Sequence, residues 1–352
     1  MAYEIDYTPV GDGERGGDAI AMRYGVLDGP QKRQTVIVID GGTKESGQAL
    51  VNHIKTFYGT DVVDVAISTH PDQDHASGLC EVLENLTVHS LLMHRPWEHA
   101  QEIKNMFKDG RITASGLEER IEKSLQNASD LEAIAKRKNI PIYEPFQGMT
   151  AGTIFHVLGP SKEYYESLLP HLKDMPTPKI SLGVFAPILK TAEGVVNWIE
   201  DNMGIDLLND DEDTTSPSNN TSTIILFNLD GHKLLFTGDA GKTALLNAIA
   251  YAESLPVSIS LSDLSFLGVP HHGSKRNINS KIMKKIIART AFVSAPKDGN
   301  PKHPSKKVTN ALQKHGSTVY VTRGNNLLHQ FQGNVRGWGN ATREPFHARV
   351  ED

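Results

Sequence analysis

The apolar residues of this chain gather in short runs. Thr35-Val36-Ile37-Val38-Ile39, Val62 to Ile67, Ser90-Leu91-Leu92-Met93, Ile154 to Leu158, Thr223 to Phe227, Lys233-Leu234-Leu235-Phe236 and Ser265 to Val269 are each bounded by polar or turn-forming residues. Runs of this length and composition predict buried strands. Between them, apolar positions recur at helical spacing. Leu50, Val51, Ile54 and Phe57 lead up to Gly59, and Ile278, Ile282, Met283, Ile286 and Ile287 form a second stripe. Asp230-Gly231 falls between two of the strands and predicts a hairpin turn. Strands and helices mixed in this way predict sheets covered by outer helices. No internal repeat of solenoid period is present.

A chain of 352 residues, 38% of them apolar, is long enough for one large core or two smaller ones. Met1-Ala2-Tyr3-Glu4-Ile5-Asp6 has neither the basic nor the apolar segment of a secretion signal, and no run of about 18 apolar residues occurs. The expectation is a soluble cytoplasmic protein with no membrane partner. The single cysteine, Cys80, cannot form an internal disulfide, which suits a reducing compartment. It is expected as a small buried residue on a helix.

Charge is unevenly spread. The net value is −6, yet between His271 and Asn325 twelve Lys or Arg stand against one acid, Asp298. That asymmetry suits the gathering of an anionic substrate at one end of the molecule, unless the lysines are solvated helix faces. Glu193, Glu200, Asp201, Asp206, Asp210, Asp211, Glu212 and Asp213 form an acidic stretch without Lys or Arg, followed by Thr214-Thr215-Ser216-Pro217-Ser218, and predict a mobile loop.

The chemistry concentrates in Ser68-Thr69-His70-Pro71-Asp72-Gln73-Asp74-His75, directly after an apolar run. His70, Asp72 and Asp74 alternating in an extended turn, with His75 beside them, would diverge toward two neighbouring cations. Three further places follow strand-like runs or precede one, where loops gather ligands onto a rigid frame. Thr237-Gly238-Asp239-Ala240-Gly241 presents Asp239 in a glycine turn; Pro270-His271-His272-Gly273-Ser274 offers two imidazoles; Ser218-Asn219-Asn220 offers an amide oxygen. Asn220 and His303, which precedes Pro304-Ser305, also suit an ordinary turn and a helix start.

In this order the motifs resemble those of the metallo-β-lactamase superfamily, most closely the metallo-hydrolase domain of ComEC-type DNA-uptake proteins. The resemblance includes Gly16-Gly17-Asp18-Ala19-Ile20, Ile39-Asp40-Gly41-Gly42 and Lys302-His303-Pro304-Ser305. It implies a single αββα sandwich over residues 1–352, two sheets face to face with helices outside, carrying insertions at about 95–140 (helical) and 161–215 (acidic). It implies two divalent cations, Zn²⁺ or Mn²⁺: one held by His70, Asp72 and Asn220, a second by Asp74, His75 and His272, with Asp239 bridging. The superfamily usually has His where this chain has Asp72 and Asn220, and oxygen ligands make Mn²⁺ a competitor.

Such a cation pair can share a hydroxide nucleophile and neutralise charge on a phosphodiester. Asp74 would then orient the nucleophile or take its proton, and His271, Ser274, Lys275 and His303 are the candidate substrate donors. Three functions stay open: hydrolysis of a phosphodiester, nucleic acid or nucleotide included; hydrolysis of a small ester, lactone, amide or thioester; and a non-catalytic metal-binding module. Phe292 and Tyr320 are the only aromatic residues of the basic segment, which disfavours a base-stacking platform.

Overall fold

The strand-like runs pair into two seven-stranded mixed sheets. The structure is a computed structural model and describes residues 1–11, 16–29, 33–180, 198–204, 207–297 and 303–351. In the first sheet the order is Leu327–Phe331, Ala2–Tyr7, Ala19–Val26, Arg33–Gly41, Val65–Ile67, Leu91–Leu92, Ile142–Tyr143. The first four strands are antiparallel and the last four parallel. The second sheet runs Thr318–Val321, Ala288–Val293, Leu264–Gly268, His232–Phe236, Ile224–Leu229, Phe155–Gly159, Thr150–Ala151, with its first four strands parallel and the rest antiparallel. The hairpin turn falls at Asp230-Gly231 as expected, both residues at positive φ (51° and 88°).

Alternation along the strands assigns the layers. Tyr3, Ile5, Tyr7, Ile20, Met22, Ile37 and Ile39 of the first sheet meet Phe227, Phe236, Phe266 and Phe292 of the second. The opposite faces point outward. Ala19, Ala21, Val36, Val38 and Ala66 share a core with Leu50, Leu79, Val82 and Leu83 of helices Lys44–His53 and Gln73–Asn85. Leu226, Leu235, Leu267 and Ala291 share another with helices Lys242–Ser254 and Lys306–Lys314. The result is the four-layer αββα sandwich that the sequence predicts.

Between residues 95 and 140 lie helices Ala114–Ser124 and Gln126–Arg137, whose Leu117, Ile121, Leu131 and Ala135 join the first outer core. Of the acidic stretch, Glu193 and Asp206 lie outside the described residues. Its end is tied down: the Asp213 carboxylate accepts the backbone N–H of Thr215 (2.9 Å) and of Thr243 (2.8 Å), in the first turn of helix Lys242–Ser254.

Four details depart from the sequence reading. The run Val62 to Ile67 is two strands, because Asp64 leaves the ladder to accept the N–H of Val36 (2.8 Å); Val62–Val63 pairs separately with Thr87–Val88. The helical stripe from Ile278 contains one short helix, Ser280–Met283, since the Asn279 side chain caps it by accepting from Ile282 N–H, and the strand begins at Ala288. The helix before Gly59 ends in a π-turn, Ile54–Tyr58. Cys80 does sit on a helix but is only half-buried.

The tail after the last strand of the first sheet is anchored by charge. Arg336 pairs with both Glu4 and Asp6, Glu4 also pairs with Arg23 at 2.7 Å, and Tyr58 donates its hydroxyl to Asp6 at 2.6 Å; all are buried. Burial opposes the charge on Asp6, but His53 and Arg336 outweigh it and hold its pKa below the ordinary value. That contribution to stability is complete above the unfolded pKa of about 3.9 and is lost as the pH falls from there through the lower folded value. Arg336→Ala takes the shared cation from two buried carboxylates, leaving Glu4 with Arg23 and Asp6 with His53 and Tyr58, and should cost about 3 kcal/mol in urea unfolding at pH 7. Much of the wild-type advantage should vanish as the pH is lowered below 4; an advantage unchanged at pH 3 would count against this account.

Candidate metal centre

The His70 to His75 motif joins strand Val65–Ile67 to helix Gln73–Asn85. It straddles loop and helix instead of forming one extended turn. Asp72 has the extended backbone of an N-cap (φ −66°, ψ 147°), so His70 and Asp72 precede the helix while Asp74 and His75 occupy its first turn. The helix lies close against the first sheet. A Cβ on Gly78 would stand 1.9 Å from the Gly41 carbonyl oxygen. Ser77 adds a hydrogen bond to the Gly42 carbonyl at 3.1 Å, which holds the first turn in place.

From the second sheet, Asp239 follows strand His232–Phe236, and His271 and His272 follow Leu264–Gly268. All these strands lie in the parallel halves, so their loops meet at one rim. Asp239 is the meeting point. Its Oδ1 is 3.5 Å from His75 Nε2 and 3.9 Å from His272 Nε2; its Oδ2 is 3.9 Å from His70 Nε2 and 3.7 Å from His271 Nε2. Asp72 Oδ2 stands 3.8 Å from His70 Nε2, and Asp74, His75 and His272 bring ligand atoms within 4.8 Å of one another.

Hydrogen bonds at Nδ1 aim the rings. His75 Nδ1 faces Asp40 Oδ2 at 2.9 Å, and His272 Nδ1 faces the Ser294 carbonyl at 2.8 Å. His70 Nδ1 faces Thr69 Oγ1 at 3.0 Å, whose own proton goes to Asp40 Oδ2 at 2.6 Å. In the neutral ring each contact calls for a proton on Nδ1 and leaves Nε2 with a bare lone pair. The Nε2 atoms of His70 and His75 and Asp239 Oδ1 are buried without a hydrogen-bond partner. Donors that share a tetrahedral cation at about 2.0–2.1 Å stand roughly 3.4 Å apart, close to the separations around Asp239. The side chains therefore fit divalent cations.

Burial opposes ionisation of Asp239, yet His271, His75, His272 and His70 overcome it and hold the carboxyl far below its ordinary pKa. Burial likewise disfavours a charged His75, but Asp239 and Asp40 raise its pKa. For His70, burial and the His75 charge lower it.

No protein-family model matches the chain. Over 110 residues it is 27% identical to ComE operon protein 3 of Bacillus subtilis (strain 168), a match that spans 31% of this chain and 13% of that relative. Among solved structures, the metallo-β-lactamase SMB-1 bound to 2-mercaptoethanesulfonate is 12% identical, with 77% of this chain and 82% of that one covered and a TM-score of 0.31. A variant of the CmlA β-hydroxylase is 11% identical, covering 94% and 54%, with a TM-score of 0.45. The hydrolase AbOPH of the β-lactamase superfamily is 11% identical, covering 69% and 84%, with a TM-score of 0.31. Among the described residues no helix is long and apolar enough to cross a membrane.

Of the residues singled out in the sequence, His70, Asp72, Asp74, His75, Asp239 and His272 come together. Asn220 does not join them. Its Oδ1 accepts the N–H of Gly241 (3.1 Å) and its amide faces Asp213 and Thr215, so it braces the loop. Asn219 is the one at the rim: its Nδ2 lies 3.3 Å from Asp239 Oδ2. Ser274 is buried and holds the turn, its Oγ accepting from Arg276 N–H at 3.3 Å, while Lys275 is exposed. The His303 ring lies 5.9 Å from that of His271, with Nδ1 buried and unpartnered; burial, then His272 and His271, lower its pKa to about 4. Lys302 lies outside the described residues.

The sequence reading gave no role to two acids that its motifs contained. Asp40 orients His75, and His70 through Thr69. Asp18 is buried with its carboxylate within 4.8 Å of His75 and Asp239 ligand atoms; burial raises its pKa to about 6. A Cβ on the neighbouring Gly17 would stand 2.1 Å from the Asp74 carbonyl oxygen, so this loop forms a wall of the site. Ser218, which donates to Asp72 Oδ1 at 2.5 Å, carried no signal beyond its place before a strand.

Because Asp40 aims two rings at once, Asp40→Asn should weaken Zn²⁺ or Mn²⁺ binding about 10–100-fold, read by competition with a chelating dye. Unchanged affinity would mean that Asp40 does not orient the rings.

Proposed function

We propose that this chain is a metal-dependent hydrolase of the metallo-β-lactamase superfamily and that its substrate is a phosphodiester, nucleic acid or nucleotide included. The observation that carries the reading is the set of bare Nε2 atoms and carboxylates grouped around Asp239. In it, His70 and Asp72 would hold one divalent cation and Asp74, His75 and His272 another, with Asp239 available to both. When bound, such a pair supplies Lewis acidity and a water acidified enough to serve as nucleophile near neutral pH.

The residues of the chain supply the rest. Asp74 would orient the attacking water and take its proton. The Asn219 amide hydrogens, His303 and the exposed Lys275 and Arg276 supply donors and positive charge for phosphate oxygens. Several carboxylates among the ligands favour Mn²⁺ as a competitor to Zn²⁺. The motif resemblance to ComEC-type domains supports the phosphodiester, and the partial match to ComE operon protein 3 is in keeping with that resemblance; the lone Cys80 suits a reducing, cytoplasmic setting.

The basic segment supports this less than its charge suggested. Lys285 is paired with Glu253 (2.7 Å), Lys314 with Asp201 (2.6 Å), and Arg323 with Glu344, all acids from outside it.

Protein loaded with Mn²⁺ or Zn²⁺ should cleave bis(p-nitrophenyl) phosphate or single-stranded DNA, and Asp74→Ala should lower kcat by about 10²–10⁴-fold. Turnover of lactones or thioesters alone would replace the phosphodiester with a small acyl substrate; metal binding with no turnover of any substrate would point to a binding module.

A further inference from the structure

The paired histidines are expected to divide their labour, one binding metal and the other facing substrate. We propose instead that both are metal ligands, one for each cation, with His271 completing the position formed by His70, Asp72 and Asp239. This rests on the dinuclear reading above and settles which side chain takes the place expected of Asn220.

The tautomer of His271 follows from its neighbours. Asn277 donates its amide to the carbonyl oxygens of Asp239 (3.0 Å) and Ala240 (3.1 Å), so its Oδ1 is left as an acceptor. That Oδ1 lies 3.0 Å from His271 Nδ1. Nδ1 must therefore carry the proton, and Nε2, 3.7 Å from Asp239 Oδ2, is bare. All four rings around Asp239 thus share one arrangement, a protein acceptor at Nδ1 and a lone pair at Nε2, and they divide two to each carboxylate oxygen. Four lone pairs directed at an anion are mutually repulsive unless cations lie between them.

The amides on that side are engaged elsewhere by hydrogen bonding. Asn220 is committed to Gly241, Asp213 and Thr215. Asn219 accepts the Ser216 hydroxyl at Oδ1 (2.6 Å), which turns its NH₂, a donor that cannot ligate, toward Asp239. That NH₂ is 3.3 Å from His271 Nδ1 and 3.5 Å from Nε2. Nearly equidistant from both nitrogens, it lies off the lone-pair axis of Nε2.

The backbone supports the same division. His271 and His272 have φ of 47° and 54°, a left-handed conformation that non-glycine residues rarely adopt. In an extended strand consecutive side chains point to opposite faces, whereas a left-handed turn sets them about 100° apart, as the mirror image of a helix. The turn brings both rings to one carboxylate from two sides. Each cation then has two imidazole nitrogens and two carboxylates: His70, His271, Asp72 and Asp239 on one side, His75, His272, Asp74 and Asp239 on the other. Matched donor sets predict that both positions fill.

The test is metal stoichiometry, independent of turnover. Protein stripped with a chelator, reloaded with Mn²⁺ and desalted should hold two ions per chain by mass spectrometry. His271→Ala and His272→Ala should each hold one, and Asn220→Ala should hold two. Anomalous diffraction from Mn²⁺-loaded wild-type crystals, which needs no variant to fold, should put one ion within bonding distance of His271 Nε2. Two ions in His271→Ala, or both ions beyond bonding distance of that nitrogen, would overturn the proposal while leaving the dinuclear reading intact. A wild-type chain that binds no ion would overturn both.

Discussion

The Asp239 carboxylate stands where four imidazoles from two different sheets turn their Nε2 atoms inward, and each ring is locked there by a hydrogen bond on its far side. Such an arrangement is costly in the absence of positive charge, because the Nε2 atoms of His70 and His75 and Asp239 Oδ1 are buried without a partner. The imidazoles can supply that charge only by protonation, and separations of 3.5–3.9 Å are too long for hydrogen bonds to the carboxylate. Divalent cations answer the geometry better than protons do.

The scaffold serves this point. Both sheets end their parallel strands at one rim, so a loop from the first sheet and two from the second meet without long excursions. Close backbone contact fixes the first loop: the helix that begins with Asp74 and His75 crosses the first sheet at Gly78 and Gly41, where no Cβ would fit. At the second, Asn277 bonds at once to the backbone around Asp239 and to His271. Orientation is thereby built into the cores that stabilise the fold, and the site is as rigid as the sandwich.

Charge outside the rim is less polarised than composition suggests. Lysines and arginines of the basic segment reach out to acids elsewhere in the chain, so part of their charge holds helices and tail in place. Glu4, Asp6, Arg23 and Arg336 form a buried network of the same kind under the C-terminal tail.

Sheets covered by helices were legible in the sequence because short β-branched runs bounded by turn residues leave few other ways to bury apolar surface, the pairing of two such sheets came from the motif resemblance, and the compact His70 to His75 motif marked a candidate metal site by density alone. Asp239 and the histidine pair were legible as turns after strands. Other features depend on contacts between residues far apart in the chain. Asp64 interrupts a strand because of Val36; Asn219 faces the rim instead of Asn220 because Gly241 and Asp213 claim its neighbour; Asp18 and Asp40 matter because loops bring them beside His75. The sequence alone determined which donors exist and which short segments carry them. Tertiary structure decided which donors come together and which nitrogen each ring presents, since hydrogen-bond partners fix a tautomer and those partners lie up to 35 residues away, as Asp40 does from His75.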